Sequence, residues 1–237
     1  PSRRGRDNTT KHTYENVKLV PEAVINVVNY SMVQQTSLSS SDYPEGINEF
    51  EKAGFTMLSS DRVQPARVKE SPVQYECKVL QVIETGTEGS AGNLVICEVV
   101  KVHISSSVLQ PNGKVDLAKL DLVGRMGGDF YVRASGNALF EVVKPLKEAG
   151  IGVDMLPRAV QLSSILTGND LGQLGNIKQM PRSEEMLEFK QSSAFQELVQ
   201  DEEDAEMLQL KSQHLAQDLI AKGRIYEALM LLLLTHS

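Results

Sequence analysis

Val73-Gln74-Tyr75-Glu76-Cys77-Lys78-Val79-Leu80-Gln81-Val82 runs through the loop Gly86-Thr87-Glu88-Gly89-Ser90-Ala91-Gly92 into a second extended stretch, Asn93 to Ser105. In the first stretch Val73, Tyr75, Cys77 and Val79 alternate with Gln74, Glu76 and Lys78, the period of a strand with one buried face. Leu80 and Val82 then continue on the other parity. A slip of one residue marks a bulge, where a long strand bends. The second stretch has its own slip at Val99-Val100. Two long bent strands joined by a glycine-rich loop predict an antiparallel barrel wall rather than a layered α/β sheet.

Working back from that pair, Val24-Ile25-Asn26-Val27-Val28 is a β-branched strand, and Tyr14 to Leu19 a brief helix ended by Pro21. Thr36 to Gly46 reads as a turn-rich loop, and Ile47 to Ala53 as a short helix stopped by Gly54. Downstream, Pro111-Asn112-Gly113 is a turn and Val115 to Leu120 a helical turn or two. Leu122 to Arg133 is a glycine-rich bend opening a strand, with Ala138 to Val143 as its expected partner and Pro145 as the end of the β portion. Ile151 to Asn176 reads as loop. From Ser183, an expected N-cap, the pattern is helical. Asp201-Glu202-Glu203-Asp204 suits a solvated helix start, Leu208, Leu215 and Leu219 mark one face, and Gly223 separates a last helix, Ile225 to Leu234. The expected organisation is a β domain over 1–145, a loop-rich extension packing on it over 146–182, and C-terminal helices over 183–237.

The chain has 237 residues, 41% hydrophobic and 23% charged, the mixture of an ordinary globular protein. Its net charge of −7 argues against nucleic acid as a partner. Cys77 and Cys97 lack metal-ligand spacing and suit a reducing compartment, so the expected location is cytoplasmic. His12, His103, His214 and His236 are scattered, and neither a metal site nor a nucleophilic triad is read from them. The longest apolar run, Ala228 to Leu234, is too short to span a bilayer and reads as a helix end or an interface patch. Against this acidic background one stretch is cationic: Arg3-Arg4-Gly5-Arg6-Asp7-Asn8-Thr9-Thr10-Lys11-His12-Thr13. Arginine forks, a lysine charge and threonine hydroxyls are the chemistry of a phosphate grip, although short basic runs are more often solvated termini.

Taken in order, these stretches resemble the flavin reductase-like proteins with an FMN-binding split β-barrel. The run Arg3 to Thr13 is similar to that family's arginine-rich loop ending in Lys-Asp-Thr, with His12 where Asp is usual. Tyr43-Pro44-Glu45-Gly46 with Glu49 to Gly54, Arg67 to Val73 with Glu76-Cys77, and Gly92 to Ile96 with Glu98-Val99-Val100 follow in the family's order. Gly124-Arg125-Met126-Gly127-Gly128 with Tyr131 resembles the bend beside the flavin, and Leu166 to Asn176 a subgroup signature. The likeness covers about residues 3–180.

The resemblance implies a mainly β fold with α-helices: a Greek-key-like antiparallel split barrel with a C-terminal helical extension. Because the family has barrel strands ahead of the arginine-rich loop, the chain as given is expected to lack them. The implied cofactor is FMN, with FAD or riboflavin as substrate alternatives, and NAD(P)H as reductant; the implied assembly is a homodimer. By matched position Lys11, Thr13 and one of Arg3 or Arg4 are the implied phosphate ligands, and Arg125, Gly127 and Tyr131 lie on the ring side. His103 could face the nicotinamide or be a satisfied structural histidine. The implied reaction is hydride transfer from NAD(P)H to flavin, which needs no general acid or nucleophile from the chain. A non-catalytic FMN-binding or electron-carrier protein, or a tail that docks a partner through Leu229 to Leu234, are the alternatives.

Overall fold

The computed structural model describes residues 2–142, 144–145, 148–200 and 204–236. Its packing divides the chain into two units, Pro1–Glu141 and Val142–Ser237. The first unit runs α1 (His12–Leu19), β1 (Glu22–Asn26), α2 (Val33–Ser39), α3 (Glu49–Ala53), β2 (Met57–Leu58), β3 (Arg67–Val68), β4 (Val73–Glu84), β5 (Asn93–Ile104), α4 (Leu117–Leu120), β6 (Val123–Gly127) and β7 (Phe130–Arg133).

The two long strands form as their alternation predicts, and β4 lies between β1 and β5 in an antiparallel sheet. Both expected slips are register shifts. Between Val79 and Gln81 the strand β4 carries Leu80 as an extra residue, and between Glu76 and Cys77 the partner strand carries Val100. β2 pairs with β3 and β6 with β7, each as a two-stranded antiparallel sheet. The expected barrel is not closed among the described residues: the sheets have three, two and two strands. Leu80, Ile83, Leu94, Ile96, Val99, Val102 and Ile104 stay exposed along the bent strands. A small core of Val73, Val108 and Leu120, with Val27, Tyr75, Val115 and Leu122 against it, holds the sheet to its loops.

Two further expectations for this unit change. The serine-rich stretch after Met32 is α2 over Val33–Ser39 and not loop from Thr36. Its hydroxyls turn back onto their own helix, Thr36 Oγ1 to Met32 O (3.0 Å) and Ser39 Oγ to Thr36 O (2.8 Å), so they consume carbonyls instead of breaking the turn. Ala138 to Val142 does not pair with the glycine hairpin: Gly136–Ala138 is a 3-10 turn and Leu139, Phe140 and Val142 are exposed, while Val143 lies outside the described residues.

The second unit is helical: α5 (Arg158–Gln161), α6 (Gly168–Gly175), α7 (Ser183–Lys190), α8 (Ser193–Gln200), α9 (Ala205–Ala221) and α10 (Ile225–Thr235). Leu166 to Asn176, expected as loop, is mostly α6. Thr167 and Asp170 form a reciprocal capping box that starts the helix despite its glycines. Residues 156–174 share one core with the terminal helices, joining Leu156, Val160, Leu166 and Leu174 to Phe195, Leu219, Leu229, Leu231 and Leu232. Buried residues between Leu156 and Leu174 thus pack with the helices after Ser183. Ser183 is the first helical residue of α7 rather than its N-cap, and Glu185 reaches back to Arg182 N (2.8 Å). Gly223 takes the left-handed conformation (φ 76°) between α9 and α10. Of the acidic run, 201–203 lies outside the described residues and Asp204 caps α9 through Glu206 N. Leu229, Leu231 and Leu232 are buried in this core, so the run Ala228 to Leu234 is largely spent on the unit's own packing and does not offer the expected docking patch. No helix is long and apolar enough to cross a membrane among the described residues.

Candidate functional site

The cationic stretch folds as a loop delivered onto the first turn of α1. Arg3 exchanges backbone bonds with the β4–β5 loop, Arg3 N to Ala91 O and Ser90 N to Arg3 O, and Asn8 Nδ2 donates to Thr87 O (2.9 Å). The approach is close at Gly5, where an added Cβ would stand 2.7 Å from Ser90 Oγ and the serine hydroxyl would have to turn aside. Arg3 is held by Asn8, through Nε to Oδ1 (2.7 Å) and Nη2 to the carbonyl (2.6 Å). Arg4, its side chain 15% exposed, donates to Asp42 Oδ1 (2.8 Å), Thr9 Oγ1 (3.1 Å) and the Thr10 carbonyl. Arg6 reaches the other oxygen of Asp42. The Thr9 hydroxyl and amide both donate to Asp7 Oδ1 and, with Arg6 beside it, hold the Asp7 carboxyl down to about 2.

The donors of Arg3 and Arg4 are therefore engaged largely inside the protein, and they shape the loop. Lys11 and Thr13, the other two residues expected here, are exposed at the N-terminus of α1. Among the described residues, neither side chain has a hydrogen-bond or ion-pair partner. The first-turn amides of His12 and Thr13 have no intrahelical acceptor, as at any helix start. A lysine charge, a hydroxyl and helix-end amides thus face outward together, a donor set chemically suited to a phosphate.

Arg125 and Tyr131 come together across the β6–β7 hairpin as register partners and line one side of a groove of about 420 Å³. The opposite side comes from α2, through Val33, Gln34 and Ser37, with Ser40 just beyond it. Arg125 is exposed and donates to Gly128 O (3.3 Å), with no carboxylate partner among the described residues. Gly127 (φ 104°) ends β6 opposite Phe130 and Gly128 (φ 52°) opens the hairpin turn, and a Cβ on either would meet nothing within 4 Å. Their conformation explains the glycines; close packing within the chain does not. Arg133 stacks on the Tyr30 ring at 3.8 Å and is clamped by Asp121 at 2.7 and 2.8 Å, which fixes the floor of the groove and holds the Asp121 carboxyl below its ordinary value. Sequence reading missed Tyr30, Asp42 and Arg133. Each works through a partner distant in sequence, and no local spacing signals such pairs.

The basic loop and the groove share a border. Ser40 lines the groove, and Asp42, two residues on, takes Arg4 and Arg6.

His103 lies elsewhere. Its Nε2 stands 2.6 Å from Glu76 Oε1 on the neighbouring strand, and the fully buried Glu76 also accepts from Asp61 N (2.9 Å) and Arg62 N (2.6 Å). Burial opposes ionisation of Glu76, but these donors outweigh it and lower its pKa. Asp61, Glu76 and His103 are close enough together to hold a cation. Lys101 on Asp61 and Arg67, 3.8 Å from Glu76, already supply positive charge there, so the cluster is a structural network tying β4, β5 and the 61–62 turn. This is the satisfied histidine of the two readings given for His103.

Comparison with known proteins adds family evidence. A flavin reductase like domain matches residues 8–117. An uncharacterised protein of Aquifex aeolicus is 32% identical over 136 residues, covering 57% of this chain and 67% of that protein. One from Halalkalibacterium halodurans is 33% identical over 127 residues, covering 53% and 60%. Among solved structures, nitrilotriacetate monooxygenase component B from Bacillus cereus superposes with a TM-score of 0.53 at 25% identity, covering 60% of this chain and 69% of that one. The match to the second relative spans less than two thirds of its length.

Proposed function

The chain belongs to the flavin reductase-like family, and from that premise we propose that it binds FMN and passes hydride from NAD(P)H to the flavin. The observation that carries this reading is the outward-facing donor set of Lys11, Thr13 and the first-turn amides of α1, bordered through residues 40–42 by the groove of Arg125 and Tyr131. In this reading Lys11 and Thr13 hold the phosphate, and Arg3 and Arg4 hold the loop that presents them. Gly127 and Gly128 leave the backbone uncovered at the end of the hairpin, so a flat ring could lie against it. Arg125 would place a cation near the ring, favouring negative charge there. FMN, when bound, supplies the hydride acceptor, and the chain orients two flat ligands face to face.

We take the working form to be a homodimer in the cytoplasm. The exposed apolar residues of β5 and β7, among them Val102, Ile104 and Phe130 at 77% exposure, favour a covering partner, and a second copy is the simplest one. Both cysteines are free, as a reducing compartment requires. Sedimentation should therefore report twice the chain mass, and a monomer would count against the dimer.

The test of the reaction is oxidation of NADH or NADPH with FMN present, followed by nicotinamide absorbance. Turnover well above the protein-free rate is expected. Flavin binding without turnover would leave the carrier reading, in which the same residues hold FMN for exchange of electrons with another protein.

A further inference from the structure

Two guanidinium groups converge on one carboxylate at the junction of loop and groove. Arg4 takes Asp42 Oδ1 through Nε and Nη2, and Arg6 takes Oδ2. The three residues leave a net charge of +1 at this point. We propose that Asp42 is the positioning residue for anion recognition: by clasping Arg4 and Arg6 it fastens the cationic loop to the border of the groove, and so makes the chain select phosphorylated flavin over riboflavin. This rests on the flavin-binding reading above and names the specificity device within it.

The loop is stitched at one flank to the β4–β5 loop through Arg3, Asn8 and Ser90. At the other flank, the Asp42 clasp is the only tie of residues 3–10 to the segment carrying Ser40 among the described hydrogen bonds and ion pairs. Arg4 is largely covered, and without Asp42 its guanidinium keeps only Thr9 and the Thr10 carbonyl, both within the loop itself. A buried cation that loses its carboxylate is driven back toward water. The loop would then leave the groove border and take the start of α1 with it, since Lys11 follows directly. Removing a negative charge also raises the local positive potential, which would favour a phosphate. That gain acts at a solvent-exposed, salt-screened rim and is smaller than the cost of reordering a freed loop on binding.

The experiment titrates the whole chain with FMN and with riboflavin, by flavin fluorescence, for wild type, Asp42→Asn and Asp42→Glu. The expected result is a wild-type preference for FMN that drops about tenfold in Asp42→Asn and returns largely in Asp42→Glu. The ratio of the two dissociation constants is the readout, because it does not depend on the folded fraction. Hydrogen exchange at residues 3–10 should quicken in Asp42→Asn alone. An Asp42→Asn protein that keeps or increases the wild-type preference overturns the proposal and leaves the flavin reading standing. Equal losses for both ligands, or no recovery in Asp42→Glu, also overturn it by making Asp42 merely structural. A wild-type protein that binds neither flavin removes the reading itself, and the proposal with it.

Discussion

The helical unit and the sheet-bearing unit solve the burial problem in different ways. In the first, Leu156, Val160, Leu174, Leu219, Leu229, Leu231 and Leu232 meet in one apolar core. In the sheet-bearing unit a core of Val73, Val108 and Leu120 is small, and many apolar residues of β4, β5 and the β6–β7 hairpin are left uncovered by the chain itself. What holds the sheet-bearing unit is a polar framework: buried Glu76 under two amides and His103, Asp42 under two arginines, and Asp121 under Arg133. The candidate site sits on that framework. Charged hydrogen bonds fix direction as well as distance, which suits a ligand with an anion at one end, whereas a leucine core gives stability without orientation.

The contrast breaks first if the helical core proves dispensable. Leu229→Ala removes a fully buried side chain and should cost about 3 kcal/mol in denaturant unfolding, with FMN affinity unchanged in the folded fraction. A loss of FMN affinity there would mean that the two units are coupled. In the sheet unit, Glu76→Ala strands two backbone amides and His103 and should cost about 2–3 kcal/mol, a core-sized penalty from a polar group. A change under about 0.5 kcal/mol would show that the network is ornamental.

At the site, Lys11→Met should weaken FMN about tenfold, or ~1.4 kcal/mol, and leave riboflavin alone. Equal weakening of both would take the phosphate away from Lys11.

The smallest effect concerns pH, and it sits in the helical unit. His236 at the end of α10 is partly buried, with Gln213 Nε2 3.0 Å from its Nε2 and Leu232 O 3.2 Å from its Nδ1. Gln213 Oε1 is occupied by the Ser163 hydroxyl, so the amide nitrogen faces the ring and the neutral form fits best. Burial lowers the imidazole pKa below its ordinary 6.5, against the Leu232 carbonyl. The unfolded chain therefore takes up the proton first. Stability should be full above 6.5 and decline as pH falls below it, and His236→Gln should flatten that slope. An unchanged slope in the variant would assign the pH response to the carboxylates.

Much of the sheet was legible because alternation is a local signal. The parity slips at Val79-Leu80 and Val99-Val100 mark the bulges, and Gly54 and Gly223 end the helices expected of them. The helices α2 and α6 were not legible, since hydroxyls and glycines speak against helix until their bonds are seen: Thr36 to the Met32 carbonyl and the Thr167–Asp170 box. Barrel closure was not legible for another reason, because alternation shows which face a strand would bury but not whether anything covers it. At the site, residue type pointed to the basic loop and the glycine hairpin. It did not show that Arg3 and Arg4 are occupied by Asn8 and Asp42, or that Tyr30 carries Arg133, because each of those pairs is made by the fold.

The most direct measurement of the central claim is titration of the purified chain with FMN, read by flavin fluorescence and absorbance. A saturable change, with FMN bound more tightly than riboflavin, is the result this account predicts. A flavin spectrum unaltered at any protein concentration would contradict it.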